Sequence, residues 1–289
     1  MRALALALAV SAPATAAVDA AARPQGPLAP DDGVLLGAFS AATRIPPVYT
    51  RPELARSLAW LESAAGRRLD IYHYYYRFHA RFPGSREREV GVAGNRIPMV
   101  SWGGTSTSRI AAGGEDRTIT ARADDVRRFR HPLFIRWFWE MDGADRQPEA
   151  GDPATFIAAW RRIVTTFRAR GASNAVFVWC PNAWGFETGR AQRYYPGDDY
   201  VDWICADGYN WAPVRPRARW THFSDTFAVW YRWAAARKKP LMVGETGAME
   251  RRAGERAAWI DRLRADLRRM PAIGALVYFD TWDRRGYDW

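Results

Sequence analysis

At 289 residues, 48% of them hydrophobic, the chain can bury a large core, which argues against global disorder. No apolar stretch reaches the roughly 20 residues that a membrane-spanning helix needs, so no membrane partner is expected. Of the 42 basic residues behind the net charge of +11, only Lys238 and Lys239 are lysine, and the arginines are scattered over the whole chain. Such dispersion fits a solvated surface, and no nucleic-acid partner is expected.

Residues 1–16 carry an export pattern: Arg2, an apolar run from Ala3 to Val10, and the small-x-small site Ala14-Thr15-Ala16. Residues 17–33 are rich in Ala, Pro and Gly and read as a linker. The expected destination is secreted, extracellular or periplasmic. In such a compartment Cys180 and Cys205 can pair; as residues of two β-like runs they can equally remain buried thiols.

From residue 34 to 289 short apolar runs alternate with helical segments. The runs begin near Val34, Leu69, Arg96, Pro132, Ala175, Val201, Pro240 and Ile273. Alternation of this kind implies βα units and a parallel sheet, and eight units argue for one closed (β/α)8 TIM barrel. The rival, a doubly wound open sheet, lacks a glycine-rich phosphate loop after the first run. Three helices stand out. The first starts at Asp152-Pro153, ends by Gly171, and puts Phe156, Trp160, Ile163 and Phe167 on one face. Another carries Trp230 and Trp233, and a third carries Trp259, Ile260, Leu263 and Leu267 ahead of Pro271. Only ten residues follow Phe279, so either the closing helix is missing or the chain is truncated.

The active site of such a barrel lies at the C-terminal ends of its strands. The runs end in His73-Tyr74-Tyr75-Tyr76, Trp102-Gly103, Glu140-Met141-Asp142, Pro181-Asn182, Asp207-Gly208-Tyr209-Asn210-Trp211, Glu245 and Asp280-Thr281-Trp282. Carboxylates, amides and aromatics on one rim suit a sugar, whose C–H faces stack and whose hydroxyls need directional partners. Neighbours in a strand alternate sides, so the three tyrosines cannot all face inward. Glu140, among Trp137, Phe138 and Trp139, should have a raised pKa and serve as acid/base. Glu245, between Gly244 and Gly247, admits close donors and suits an ionised nucleophile. Either glutamate could instead pair structurally with Arg136, which is also placed among the substrate-binding candidates. Asp198, Asp199 and Asp202 lack calcium-loop spacing and read as turn and strand-start caps. His79, His131 and His222 show no metal-ligand spacing, and no nucleophile-elbow serine or Walker loop occurs. No metal or cofactor is implied.

Four segments resemble glycoside hydrolase family 26, mostly β-mannanases on a (β/α)8 barrel. They are Phe134 to Gly143, Val176 to Asn182, Tyr194 to Trp203 with Asp207 to Trp211, and Gly244-Glu-Thr-Gly247. The resemblance implies a retaining, double-displacement hydrolase with Glu140 as acid/base and Glu245 as nucleophile. It implies that Tyr209 hydrogen-bonds the nucleophile and that Trp211 and Trp282 are substrate-side aromatics. His73, Trp102 and Asn182 complete the candidate substrate-binding set. The family commonly has His before the acid/base and Asn two residues after it; here Trp139 and Asp142 stand there. The expected substrate is a β-mannan, with β-1,3-xylan, mixed-linkage β-glucan, or carbohydrate binding without turnover as alternatives. A monomer is expected.

Overall fold

A computed structural model describes residues 25–41, 49–212, 215 and 218–282. The expected export signal, residues 17–24 of the expected linker and the tail after Trp282, where a closing helix would belong, lie outside the described residues.

Eight strands form a closed parallel barrel in sequence order. They are β1 (Leu35–Ser40), β2 (Ile71–Tyr76), β3 (Ile97–Trp102), β4 (Leu133–Trp137), β5 (Ala175–Trp179), β6 (Trp203–Asp207), β7 (Leu241–Thr246) and β8 (Ile273–Asp280). Each of the eight sequence runs becomes a strand, and the barrel closes where Leu35–Ser40 pairs with Ala275–Asp280. The helices are α1 (Arg51–Ala65), α2 (Thr107–Ala111), α3 (Asp116–Phe129), α4 (Gln147–Ala150), α5 (Pro153–Ala169), α6 (Ala183–Glu187), α7 (Phe223–Ala235) and α8 (Glu255–Arg269). Between β2 and β3 a single π-helical turn, Glu87–Val92, replaces a full helix.

Strand alternation sorts the core into two layers. Ile71, Met99, Phe134, Val176, Val178, Trp203, Met242 and Val277 fill the barrel interior. Ile135, Trp137, Phe177, Ile204 and Val243 face outward against the helices. The face predicted on α5 is fully buried there: Phe156, Trp160, Ile163 and Phe167 are each at most 1% exposed. Asp152 caps this helix by accepting the N–H groups of Ala154 and Thr155. On α8, Trp259 and Leu263 are buried, whereas Ile260 is 42% exposed. One residue of helix is about 100° of rotation, enough to carry Ile260 off the buried face.

Short contacts explain the acidic cluster near β6. The Asp202 carboxylate accepts the Phe177 N–H at 2.7 Å, and the Tyr195 hydroxyl donates to Asp198 at 2.6 Å. Asp202 thus ties the start of β6 to β5, as a strand-start residue should, while Asp198 holds its turn through a side-chain contact instead of a backbone cap.

Candidate active site

Inward positions near the C-terminal ends of β2, β3, β4 and β6 are polar. Tyr75, Ser101, Arg136 and Asp207 stand there above the apolar interior. Arg136 is completely buried, and all three of its guanidinium nitrogens are engaged. Its Nε donates to Ser101 Oγ at 2.7 Å. Its Nη1 donates to both Asp207 carboxylate oxygens at 2.8 Å, and its Nη2 pairs with Glu245. A buried cation costs several kcal/mol of desolvation unless it is paired, and here two carboxylates pair with it. Their charges raise the Arg136 pKa against the effect of burial, and it stays protonated.

Glu245 reaches the site through a bulge. Val243 pairs with Leu276 and Thr246 with Tyr278, so Gly244 and Glu245 together oppose the single residue Val277. Strict alternation after inward Met242 and outward Val243 would send Glu245 outward; the extra residue lets it turn inward with Gly244. Its carboxylate then accepts Tyr75 OH on Oε1 and Tyr209 OH on Oε2, each at 2.6 Å, beside Arg136. Three donors fix the orientation of the Glu245 carboxylate. Burial, then the Glu245 charge, pushes both tyrosine pKa values well up, so the phenols remain donors.

Glu140 sits three residues beyond β4, in a turn whose Phe138 and Glu140 have φ of 47° and 57°. Left-handed backbone at two non-glycine residues costs on the order of 1–3 kcal/mol each and persists only when its surroundings fix it. The Glu140 N–H donates to the Cys180 carbonyl at 2.7 Å, tying the turn to the end of β5. Desolvation first, then the negative charge of Glu245, pushes the Glu140 pKa from 4.5 to about 8. Neighbouring Asp142 is buried and accepts the Asn182 N–H and Nδ2 at 2.9 and 3.0 Å. Burial also raises the Asp142 pKa, while the Asn182 donors oppose that rise.

Glu140 and Glu245 line one cleft of about 830 Å³, with Phe39, Tyr75, Trp139, Arg146 and Phe279 among its walls. Six residues expected to bind substrate lie elsewhere than on the cleft wall. Trp102 is fully buried on the helix side, stacked on Phe78 with its indole N–H donating to the Phe78 carbonyl, so it is core and not a sugar platform. His73 is buried beneath the cleft, with Nε2 2.6 Å from Ser101 Oγ. Since Ser101 already accepts from Arg136, its own proton points to His73, which burial and Arg136 keep neutral. Arg136 lies below the cleft floor and acts through Glu245 and Asp207. Asn182 binds Asp142. Trp211 packs against Tyr209 at 5.4 Å, while Trp282 lies just beyond β8; neither lines the cleft. Tyr75 and Asp207 were not singled out from sequence as site residues; the alternation that points Arg136 inward could have found both.

Of the two alternatives for the cysteines, the structure has the bridge: Cys180 and Cys205 join β5 to β6 inside the barrel. Gly244 faces it. A Cβ on Gly244 would stand 2.5 Å from Cys205 Sγ, 2.6 Å from Asp207 Oδ1 and 2.7 Å from Cys180 Sγ. The residue before the Glu245 carboxylate therefore has no room for a side chain.

Residues 121–230 match the model for glycosyl hydrolase family 26. Endoglucanase H of Acetivibrio thermocellus is 33% identical over 207 residues, 68% of this chain and 23% of that protein. A β-1,3-xylanase of a Vibrio species is 26% identical over 148 residues, 47% of this chain and 28% of that one. The chain thus spans about a quarter of the length of the curated relatives it matches. A family 26 β-mannanase structure from Bacteroides ovatus superposes with a TM-score of 0.63 at 16% identity, covering 89% of this chain and 83% of the other. That likeness shows the shared barrel. With the family match and the curated relatives added to it, the chain belongs to glycoside hydrolase family 26.

Proposed function

We propose that this barrel hydrolyses the backbone of a β-linked polysaccharide with retention of configuration, Glu245 acting as nucleophile and Glu140 as acid/base. The observation that carries the proposal is the contrast between two carboxyl groups in one cleft. Glu245 is gripped by three donors, pairing with Arg136 and accepting the hydroxyls of Tyr75 and Tyr209. Glu140 is pushed up to about 8 and so is protonated at neutral pH. Glu245 attacks the anomeric carbon while Glu140 protonates the leaving oxygen. Once Glu245 is bonded to the sugar its negative charge is gone, and with it one cause of the raised Glu140 pKa. Glu140 then acts as base and takes a proton from the water that attacks the anomeric carbon, releasing Glu245.

The substrate we assign is a β-mannan-type chain, in line with the family resemblance. A second reading, a β-glucan, is favoured by the 33% identity to a protein named endoglucanase and by Trp139 in place of the common histidine. The export pattern of residues 1–16 supports action outside the cytoplasm, and we assign a monomer. The test is hydrolysis of mannan, glucan and xylan panels by wild type, Glu140→Gln and Glu245→Gln, with the anomer of the first product read by NMR. Wild type should release the retained anomer and both variants should lose orders of magnitude in rate. Wild-type rates in either variant, or an inverted product, would remove the assignment.

A further inference from the structure

Arg146, the residue preceding α4, lines the cleft beside Glu140. Its guanidinium carbon lies 4.9 Å from the centroid of the Trp139 ring. Its Nε is sealed from solvent without a hydrogen-bond partner, and among the described residues no carboxylate pairs with it. Other poorly exposed arginines do pair: Arg96 with Glu62, Arg122 with Asp125, Arg136 with Asp207. Glu149 and His79 also line this cleft, yet Glu149 forms no ion pair with Arg146, and His79 is taken by Glu115. Arg77, a second cation on the cleft wall, is likewise without a carboxylate partner among the described residues.

Trp139 is occupied from several directions. Tyr75 packs at 5.1 Å between centroids, and the Arg136 guanidinium lies at 5.4 Å. Trp139 therefore serves to hold the Arg146 guanidinium by cation–π contact rather than to offer an open face to a sugar. A planar guanidinium fixed in this way on the cleft wall, its two terminal nitrogens without a hydrogen-bond partner among the described residues, matches a carboxylate or sulfate in bidentate geometry. A neutral hydroxyl could accept one of its protons but would add no charge to that of the Glu140 carboxyl, on which Arg146 acts without forming an ion pair.

We propose that Arg146, supported by Trp139, forms a subsite for an anionic sugar unit beside the scissile bond, so that the preferred substrate is a β-glycan bearing carboxylate or sulfate groups. The inference rests on the glycosidase reading. The experiment compares kcat/KM on matched oligosaccharides that are neutral, uronate-substituted or sulfated, at low and high salt, with wild type, Arg146→Met and Arg146→Lys. Binding of the same sugars to Glu245→Gln is measured in parallel.

Wild type should prefer an acidic substrate by on the order of tenfold or more, the worth of one charge-assisted hydrogen bond. The preference should lie in KM and shrink with salt. It should collapse in Arg146→Met and survive in part in Arg146→Lys, which keeps the charge without the fork. The uronate and sulfate arms identify which anion fits. Equal wild-type kcat/KM on acidic and neutral sugars, or an unchanged preference in Arg146→Met, overturns the subsite and leaves the glycosidase standing. Arg146-dependent binding of an acidic sugar without hydrolysis keeps the subsite and overturns the glycosidase. Neither binding nor hydrolysis of any sugar overturns both.

Discussion

Glu140→Gln keeps the shape of the side chain while removing its ionisation, and its effect should depend on pH in a defined direction. In the unfolded chain the carboxyl titrates near 4.5, and in the folded protein near 8. Below about pH 4.5 both states carry the proton and ionisation costs the fold nothing. As pH rises through the window from 4.5 to 8, the unfolded chain releases its proton first, so wild type loses stability relative to the variant. The full difference of about 3.5 pKa units corresponds to about 5 kcal/mol as an upper limit. Glu140 is only partly buried, and solvent screening should reduce this to roughly 1–3 kcal/mol. Glu140→Gln should then melt several degrees above wild type at pH 8, at roughly 2–4 °C per kcal/mol, and level with it at pH 4. Thermal melts across this range provide the assay. The same group predicts that wild-type kcat/KM falls as pH rises through about 8, because the acid must enter the reaction protonated. A melting difference that does not change between pH 4 and 8 would refute the claim that desolvation and the Glu245 charge set this group.

Tyr75→Phe removes one of the three donors to Glu245; kcat/KM should fall about 10–100-fold with little change in fold, as measured by steady-state kinetics beside near-UV circular dichroism. Gly244→Ala forces a methyl group into the disulfide and Asp207. It should cost about 1–3 kcal/mol in denaturant melts and displace Glu245, lowering kcat; a fully active variant would contradict the packing argument. Trp102→Ala should cost about 3–5 kcal/mol while leaving KM nearly unchanged, since the ring is core; a KM effect without loss of stability would restore it as a sugar platform.

Local chemistry was enough to read the barrel itself. Eight short apolar runs alternating with helical segments imply a parallel sheet, because strands joined by helical crossovers lie parallel and are buried on both faces. The N-cap at Asp152 and the 3.6-residue face of α5 are likewise properties of neighbouring residues, and the structure has both. That Glu140 and Glu245 would share one cleft was legible because carboxylates at the ends of such runs converge on one rim.

Longer-range contacts decided what each neighbour does. Trp102 and His73 end runs just as the true rim residues do, and only the direction of each side chain showed that both are buried. Glu245 faces inward because of a bulge set by its pairing with β6 and β8, which strand alternation within β7 cannot reveal. Arg136 draws its role from Asp207, 71 residues on, and Glu245, 109 residues on. The pairing of Cys180 with Cys205 depended on two adjacent strands bringing the sulfurs together. Alternation and capping act within a few residues of chain, whereas ion pairs, bulges and a shared cleft exist only once distant strands lie side by side.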